Sequence, residues 1–294
     1  MTMIIDGKKI SADIKAELAL KTQRLIADRG IRPGLGLLLV GENPASQVYV
    51  RSKAKSCEEL GYHSVTLTRP SDITEEEILA IVQTFNDDPL IHGILVQLPL
   101  PKHINEQNVL LAIDPRKDVD GFHPMNTGRL VAGLPCFAPC TPAGIMEMIL
   151  RTGIETKGKH AVVVGRSNIV GKPIANMLYQ KADGANAIVN IAHTATKDLS
   201  YYTKQADILV AAVGVPRVIT ADMVKEGVVV IDVGINRIED PTAKSGSRLV
   251  GDVDYEGIFP KAKAITPVPG GVGPMTIAML MHNTYRSAVG EISW

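Results

Sequence analysis

Apolar runs of strand length alternate with amphipathic stretches along most of the chain. Residues 34–40 read Gly-Leu-Gly-Leu-Leu-Leu-Val, and comparable runs occupy residues 91–98 and 160–164. Continuous apolar runs of this length are typical of strands that are buried on both faces. Between them, apolar positions recur at the helical spacing, as in residues 74–86. Strands that alternate with helices in this way predict an α/β protein with parallel sheets.

The same pattern assigns the individual elements. Helices are expected at residues 11–29 (with Ser11 as N-cap), 49–61, 74–86 (with Thr74 and Glu77 as a capping box), 141–151 (with Thr141 as N-cap), 173–181, 199–205 and 274–289. Strands are expected at residues 34–40, 62–68, 91–98, 160–164, 187–192, 207–212 and 228–233. Residues 114–138 are rich in Gly, Pro, Asp and Asn, which predicts an ordered loop and a domain boundary.

The predicted helix at residues 49–61 carries two functional candidates besides its core-facing residues. Its apolar positions at the helical period are Val50, Ala54, Cys57 and Leu60. Tyr49 and Lys53 are four residues apart, so they lie one above the other on a different face. An aromatic ring with an amine one turn beyond it can hold a flat substrate and act on it. The alternative is a solvated lysine beside a peripheral tyrosine.

Two further polar residues lie where ligands bind in parallel sheets. Gln97 is at the carboxyl end of the predicted strand at residues 91–98. Asp120 is in the boundary loop, where it could accept paired hydrogen bonds from a heterocycle that bears amino and ring N–H groups. A simple turn at Asp120-Gly121 is the alternative.

A glycine-containing segment joins the predicted strand at residues 160–164 to the predicted helix at residues 173–181. It reads Gly165-Arg166-Ser167-Asn168-Ile169-Val170-Gly171-Lys172. Glycines in such a connection let the backbone approach a ligand closely, and the helix N-terminus attracts phosphate. Ser167 replaces the second glycine of the usual Gly-x-Gly-x-x-Gly pattern. The segment indicates dinucleotide binding, with a tight turn that uses glycine for geometry alone as the alternative.

The end of the next strand bears on which dinucleotide binds. NAD-binding units usually place a carboxylate there for the ribose hydroxyls, whereas this chain has Ala192-His193-Thr194. Arg166 and Thr194 are instead candidates for contacting a 2′-phosphate, which a carboxylate would repel and a cation would attract. We therefore predict NADP rather than NAD as the cofactor. For His193 the alternative is a surface imidazole without a role in binding.

Residues 266–274 contain too many glycines and prolines for a regular element. From Pro269 to Thr276 the chain presents consecutive backbone amides beside a predicted helix start. That shape suits the wall of a ligand pocket, although by itself it is only a glycine-rich loop.

Composition narrows the classes of protein and partner. With 294 residues, of which 45% are hydrophobic and 21% charged, the chain is long enough for two globular domains. A formal net charge of zero gives no indication of a nucleic-acid or membrane-surface partner. The first nine residues lack the apolar run of a signal peptide, and no segment reaches the roughly 18 apolar residues of a membrane span. We expect a cytoplasmic protein.

The three cysteines are Cys57, Cys136 and Cys140. Cys136 and Cys140 could pair or bind a metal, but further Cys or His residues to complete a site are not nearby in the sequence. We expect free, reduced thiols and no metal site.

Taken together, these motifs resemble the methylenetetrahydrofolate dehydrogenase/cyclohydrolase family in its bacterial bifunctional form. The resemblance covers nearly the whole chain and rests on the segments Tyr49 to Gly61, Gly93 to Pro101, Lys117 to Gly121, Pro139 to Pro142, Val164 to Pro173 and Pro267 to Thr276. It implies two α/β domains, the second Rossmann-like. The catalytic folate-binding domain is expected at residues 1–140, completed by the returning C-terminal helix at 274–294, and the NADP-binding domain at 141–273.

The resemblance also implies residue roles. Lys53 would be the catalytic lysine, with Gln97 beside it. The substrate-binding residues would be Tyr49, which stacks on the folate, Asp120, which binds the pterin ring, Pro269, Gly270, Gly273 and Thr276. The cofactor contacts would be Gly165, Arg166, Ser167 and Ile235, with Thr194 as a further candidate. A homodimer is implied by the family and by nothing else in the sequence.

The expected activity is oxidation of 5,10-methylenetetrahydrofolate to 5,10-methenyltetrahydrofolate with NADP+, followed by hydrolysis to 10-formyltetrahydrofolate. One alternative is a dehydrogenase without cyclohydrolase activity, against which the intact set of Tyr49, Lys53 and Gln97 argues. The other is a non-catalytic protein that senses nucleotides with the same glycine-containing loop. Turnover of the folate distinguishes this last possibility from an enzyme.

Overall fold

The computed structural model describes residues 1–243 and 246–294, which divide into two compact units. The first, called the three-stranded unit, comprises Ala12–Cys140 and Ile277–Trp294. The second, called the six-stranded unit, comprises Met1–Ser11 and Thr141–Thr276. Each unit is therefore assembled from two separate stretches of the chain.

The regular elements follow one another as alternating strands and helices. The strands are β1 (Met3–Ile4), β2 (Gly34–Val40), β3 (His63–Arg69), β4 (Gly93–Val96), β5 (His160–Val164), β6 (Ile188–Ala192), β7 (Ile208–Ala211), β8 (Val229–Asp232), β9 (Asn236–Glu239), β10 (Ser247–Val250) and β11 (Ala264–Ile265). The helices are α1 (Gly7–Arg29), α2 (Pro44–Glu59), α3 (Glu75–Asp87), α4 (Glu106–Ala112), α5 (Pro124–Val131), α6 (Cys140–Arg151), α7 (Gly171–Tyr179), α8 (Leu199–Thr203), α9 (Tyr255–Ile258) and α10 (Val272–Ala288). The α/β class expected from the sequence is confirmed.

The three-stranded unit is organised around β2, which pairs in parallel with β3 on one side and β4 on the other. All residues of β2 are buried, as the continuous apolar sequence of this strand predicts. Helix α3 contributes Ile78, Val82 and Phe85 to the same hydrophobic core. Gly36 leaves room for that packing, because a Cβ atom there would lie 3.0 Å from the Phe85 ring.

The six-stranded unit contains the parallel sheet β1-β11-β8-β7-β5-β6 and a separate antiparallel pair of β9 and β10. Strand β5 lies between β6 and β7. The strand that follows β5 in the sequence, β6, pairs with one edge of β5, and the next strand, β7, pairs with its other edge. The order of strands in the sheet therefore reverses at β5. In Rossmann-like sheets dinucleotides bind at the carboxyl edge beside such a reversal of strand order.

Several helix starts differ from the sequence prediction. Helix α1 begins at Gly7, four residues before the predicted N-cap Ser11, whose hydroxyl donates to the Pro274 carbonyl oxygen at 3.0 Å. The predicted N-cap Thr141 likewise lies inside its helix, which begins at Cys140. These hydroxyls have partners far away in the sequence, which local patterning does not reveal.

Three helices in the described part of the chain were not predicted: α4, α5 and the four-residue α9. Helix α5 lies inside the predicted loop at residues 114–138, and helix α4 precedes it. Both are short, but each has a local cap: His123 Nδ1 accepts the Met125 amide at 3.0 Å and Asn105 Oδ1 accepts the Gln107 amide at 3.0 Å. Eight residues or fewer show too little periodicity to be recognised from apolar spacing.

Cys57, Cys136 and Cys140 are buried and are not joined in disulfides. Within residues 1–243 and 246–294, no helix has the length and apolar character needed to cross a membrane.

Candidate active site

Lys53 and Gln97 form a buried pair in the three-stranded unit. Lys53 projects from α2, is only 7% exposed, and its Nζ donates to Gln97 Oε1 at 3.0 Å. Gln97 directly follows β4, and its backbone amide continues the sheet by donating to the Leu38 carbonyl oxygen at 2.8 Å. Its Nε2 donates to the Leu98 carbonyl oxygen at 2.7 Å. The side-chain amide is thereby oriented with its oxygen toward the lysine.

The environment of Lys53 favours a neutral amine. Burial lowers the pKa of Lys53 from its usual value, because a charged ammonium is poorly solvated there. The negative charge of Asp120 opposes this shift in pKa. Gln97 supplies a hydrogen bond without a charge of its own. A buried amine held in this way can accept a proton near neutral pH more readily than a surface lysine.

Asp120 lies close enough to Lys53 for their charges to interact. Removal from water raises the pKa of Asp120, while the Lys53 charge and a hydrogen bond with the Cys140 thiol lower it. Burial also raises the pKa of Cys140 well above its usual value, so this cysteine is a neutral thiol rather than a nucleophile. Burial thus lowers the pKa of the Lys53 amine and raises the pKa of the Asp120 carboxyl in the same site.

A buried carboxylate, Asp118, fixes the loop that carries Asp120. It accepts hydrogen bonds from the Phe122 amide at 3.2 Å, the His123 amide at 2.8 Å and Asn126 Nδ2 at 2.8 Å. Gly121 adopts a left-handed conformation, with φ of 75°, and a Cβ atom there would lie 2.6 Å from the Phe137 carbonyl oxygen. The path of the chain past Asp120 is therefore tightly determined.

The sequence reasoning missed two residues that support this loop. The Cys140 thiol donates to the Val119 carbonyl oxygen at 3.3 Å. Asn283, which is buried in α10, donates through Nδ2 to the same oxygen at 2.9 Å and to the Ala138 carbonyl oxygen at 3.1 Å. Asn283 lies far from the loop in the sequence, and no local motif marks it.

Tyr49 is 37% exposed and lies one turn before Lys53 on α2. Its ring is therefore available to a ligand. Lys53, in contrast, is almost fully buried, on the same side of α2 as the buried Val50 and Cys57. The expectation that it lies on a face distinct from the apolar stripe is therefore wrong.

The predicted dinucleotide loop begins directly after β5 in the six-stranded unit. Gly165 has φ of 127°, and a Cβ atom there would collide with the Ala212 carbonyl oxygen. A Cβ atom at Gly171 would collide with the Gly165 carbonyl oxygen. Both glycines are thus required for close backbone packing at the strand–helix junction. Ser167 Oγ accepts the amides of Val170 at 3.1 Å and Gly171 at 3.3 Å, which shapes the turn into α7.

Arg166 and Thr194 occupy equivalent positions just after two neighbouring strands, β5 and β6. Val164 pairs with Ala192 at the ends of β5 and β6, and Arg166 and Thr194 each follow by two residues. Both side chains are exposed at the carboxyl edge of the sheet. A cation and a hydroxyl at this edge suit a phosphate group.

The residues around Thr194 are engaged in local structure. His193 Nδ1 accepts the Ala195 amide at 3.2 Å, so its imidazole helps to form its own turn. Asp198, the next carboxylate along the chain, caps α8 by accepting the Tyr201 amide at 3.0 Å. No carboxylate occurs among residues 188–197 to take the place of the acid that binds NAD ribose.

The predicted folate-lining segment meets a predicted cofactor contact. Ile235 is 47% exposed, and its Cδ1 lies 3.5 Å from the position of a Cβ atom at Gly273. Gly270, with φ of 111°, accepts the Lys8 amide through its carbonyl oxygen at 3.0 Å. Thr276 Oγ1 is hydrogen-bonded to Thr141 Oγ1 at 2.8 Å, and Pro269 is exposed. Ile235 and Gly273 are therefore neighbours within the six-stranded unit.

Two protein-family models match the chain. Residues 5–120 match the model described as the catalytic domain of tetrahydrofolate dehydrogenase/cyclohydrolase. Residues 139–291 match the model described as its NAD(P)-binding domain.

Individual relatives agree along the full length. The Bifunctional protein FolD of Chlorobium limicola is 62% identical over 287 residues, which cover 97% of each chain. The crystal structure of the bifunctional enzyme FolD-methylenetetrahydrofolate dehydrogenase/cyclohydrolase from Campylobacter jejuni is 51% identical, with a TM-score of 0.93 and coverage of 99% of this chain and 100% of that one. The Trypanosoma brucei N5,N10-methylenetetrahydrofolate dehydrogenase-cyclohydrolase, complexed with NADP cofactor and inhibitor, is 37% identical, with a TM-score of 0.93 and coverage of 99% and 98%. The chain belongs to the tetrahydrofolate dehydrogenase/cyclohydrolase family.

Proposed function

We propose that the protein oxidises 5,10-methylenetetrahydrofolate to 5,10-methenyltetrahydrofolate with NADP+ and then hydrolyses the product to 10-formyltetrahydrofolate. The observation that carries the hydrolytic activity is the buried Lys53 amine held by the neutral Gln97 at 3.0 Å. A dehydrogenase alone has no need of a base for water, and a nucleotide sensor has no need of this pair. The family assignment supports the same two reactions.

The six-stranded unit fits NADP. The glycines at 165 and 171 bring the backbone close to the start of α7, where a pyrophosphate is favoured by the helix N-terminus. Arg166 and Thr194 would hold the 2′-phosphate, and Ile235 and Ser167 would complete the contacts. When bound, NADP+ supplies the acceptor for a hydride from the methylene carbon of the folate. The chain contributes binding and orientation to this step, which requires juxtaposition more than an acid or base.

The hydrolytic step requires a base from the protein. Water adds to the methenyl carbon and loses one proton to the base, which gives a neutral carbinolamine. The bond from this carbon to N5 then breaks as the hydroxyl proton is lost and the C=O bond forms, and N5 takes up a proton, so the formyl group remains on N10. Neutral Lys53 is the base that takes the proton of the water, and Gln97 keeps the amine oriented without fixing it as an ammonium. Asp120 holds the pterin ring, and Tyr49 stacks on the folate in both reactions.

The two ligands are assigned to the two domains predicted from the sequence. We assign the folate to residues 1–140 together with the helix of 274–294, and NADP to residues 141–273. We propose Pro269, Gly270, Gly273 and Thr276 as further folate-binding residues. The division is supported by the catalytic-domain match at residues 5–120 and the nucleotide-domain match at 139–291.

We also propose that the protein is a homodimer in the cytoplasm. Strand β6 lies at one end of the six-stranded sheet, and its Ile188 and Ile191 are 63% and 45% exposed. An apolar strand at a sheet edge is a suitable surface for a second copy of the chain. Sedimentation of the protein and of an Ile191→Lys variant tests this. A monomeric wild-type protein would contradict the proposal.

Turnover is the decisive test of the activity. The protein is mixed with 5,10-methylenetetrahydrofolate and NADP+, and the absorbance of the methenyl product is followed as it appears and decays. Both phases are expected. Appearance without enzyme-dependent decay would indicate a dehydrogenase alone, and no appearance would indicate a non-catalytic nucleotide-binding protein.

A further inference from the structure

Two buried carboxylates lie in the six-stranded unit apart from all the residues assigned above. Asp252 has no exposed surface. Its Oδ2 accepts the Val213 amide at 2.6 Å and the Gly214 amide at 2.9 Å. Its Oδ1 accepts Asn236 Nδ2 at 2.8 Å. One side chain therefore holds the turn after β7 and the segment after β8.

Asp232, at the end of β8, ties Asp252 to the same region. Its Oδ1 accepts the amides of Gly234 and Asp252, each at 2.9 Å, and its Oδ2 accepts the Val253 amide at 3.1 Å. Burial raises the pKa of Asp232 to about 6, and the neighbouring Asp252 charge adds to that shift. Two carboxylates kept close together out of water are costly for stability, and the backbone amides that they accept offset part of this cost.

Two glycines make the approach possible. A Cβ atom at Gly234 would collide with the Asp252 carboxylate, and a Cβ atom at Gly251 would collide with the Asp232 carboxylate. The backbone is therefore packed directly against both side chains. Small changes at either carboxylate must then be transmitted to the backbone, because no soft side chain intervenes.

The segments that Asp252 holds adjoin the dinucleotide loop. Val164 pairs with Ala211 at the ends of β5 and β7, and Ala211 pairs with Asp232 at the end of β8. The turns after these three strands therefore lie side by side at the carboxyl edge, where dinucleotides bind. Gly165 also packs on the Ala212 carbonyl oxygen, one residue before the first amide that Asp252 accepts.

We infer that Asp252 is a positioning residue for the NADP site. Its carboxylate fixes the turn at Val213-Gly214 and, through Asn236, the turn that carries Ile235, so that both match the cofactor without Asp252 touching it. This inference rests on the proposed NADP binding. It adds a specific determinant of cofactor affinity that lies outside the glycine-containing loop.

The test is the affinity for NADP+ measured by calorimetry in the absence of folate. Asp252→Asn keeps the shape and one acceptor oxygen, and its Kd for NADP+ is expected to rise about tenfold, as expected for weakening a charged hydrogen-bond pair. Asp252→Ala is expected to raise the Kd further. Hydrolysis of supplied 5,10-methenyltetrahydrofolate, which uses no nucleotide, is expected to fall by less than the NADP+ affinity.

Asp207 offers a matched control at the opposite end of β7. It also accepts a backbone amide, that of His160 at 2.8 Å, but it precedes the strand and so lies at the amino edge. Asp207→Asn is expected to leave the Kd for NADP+ unchanged. An equal rise in Kd for both variants would show a general effect of weakening the sheet and would overturn the inference.

A milder variant keeps the inference testable if the Asp252 variants do not fold. Asn236→Ala removes only the link from Asp252 to the second turn and is expected to weaken NADP+ binding a few-fold. Wild-type affinity in that variant, or in a folded Asp252→Ala protein, would contradict the inference. Absence of turnover in a wild-type protein that binds NADP+ would instead contradict the proposed function and leave the binding comparison intact.

Discussion

Lys53 is subject to two opposing influences on its protonation. Burial lowers its pKa and the charge of Asp120 raises it, with burial as the larger effect. The position of Gln97 at the end of a buried strand indicated a ligand site, and the family resemblance implied its partnership with Lys53. The sequence could not indicate that Lys53 is nearly inaccessible, since charged residues are normally exposed. That burial is what makes the amine suitable as a base.

Replacing Gln97 by glutamate tests this account of the lysine. A carboxylate beside Nζ would stabilise the ammonium and raise the pKa of Lys53. The base is active when neutral, so hydrolysis increases as pH rises through the pKa of Lys53. In Gln97→Glu that increase is expected at higher pH, with a lower rate at neutral pH. The pH–rate profile of methenyl hydrolysis measures the shift, and an unchanged profile would exclude Lys53 as the titrating base.

Removal of the amine should separate the two reactions. Lys53→Met is expected to lower enzyme-catalysed hydrolysis by about 10²–10⁴-fold, the usual contribution of a general base. Oxidation should fall much less, because hydride transfer needs no base. Separate assays of the methylene and methenyl substrates measure both effects. Hydrolysis at the wild-type rate would end the assignment of Lys53.

Arg166 should discriminate between the two dinucleotides. Its side chain is exposed at the carboxyl edge, and only NADP+ carries a 2′-phosphate for it to contact. Arg166→Ala is expected to raise the Kd for NADP+ about tenfold, since a charged hydrogen bond is lost, and to affect NAD+ much less. Calorimetric titration with each dinucleotide measures this. Equal losses for both would mean that Arg166 contacts a part common to the two.

At the scale of elements, the sequence predicted a strand or helix correctly where the residues of that element alone determine its bounds. Strands at residues 34–40 and 160–164 were predicted with the observed bounds, because a buried parallel strand is a continuous apolar run. Helix α1 was predicted to start too late, because its first turn is held by the Lys8 amide on Gly270, a partner far along the chain. The two-residue strands β1 and β11 are too short to leave a pattern.

The start of α3 was predicted correctly and offers a quantitative test. Thr74 Oγ1 accepts the Glu77 amide at 3.2 Å, and Glu77 Oε2 accepts the Thr74 amide at 2.9 Å, so the capping box is complete. Thr74→Ala is expected to lower the free energy of unfolding by about 1 kcal/mol. Denaturant titration measures the change.

Thr84 provides the control in the same helix. Its hydroxyl donates to the Ala80 carbonyl oxygen, a bond that adds little to a helix already formed. Thr84→Ala is expected to leave the free energy of unfolding unchanged or slightly higher, because alanine has the greater helix propensity. A loss equal to that of Thr74→Ala would show that the cap has no special contribution.

At the scale of the whole molecule, the sequence predicted the function but did not predict the contacts that support the functional residues. Motifs such as the segment at residues 117–121 are local, and the family resemblance drew on several of them. The roles of Asn283 and Asp252 arise from contacts between distant segments, such as Asn283 with Val119 and Asp252 with Val213. Contacts between residues so far apart in the chain cannot be recognised from a single sequence.

The pairing of β1 with β11 has a consequence for how the protein is made. Met3 and Ile4 are synthesised about 260 residues before their partners Ala264 and Ile265. The three-stranded unit is completed later still, because it includes Ile277–Trp294, where the Met281 carbonyl oxygen accepts a hydrogen bond from the Tyr62 hydroxyl. Until β11 has been made, the edge of β8 that pairs with it has no partner strand. Synthesis interrupted before β11 would therefore release a chain in which neither unit is complete.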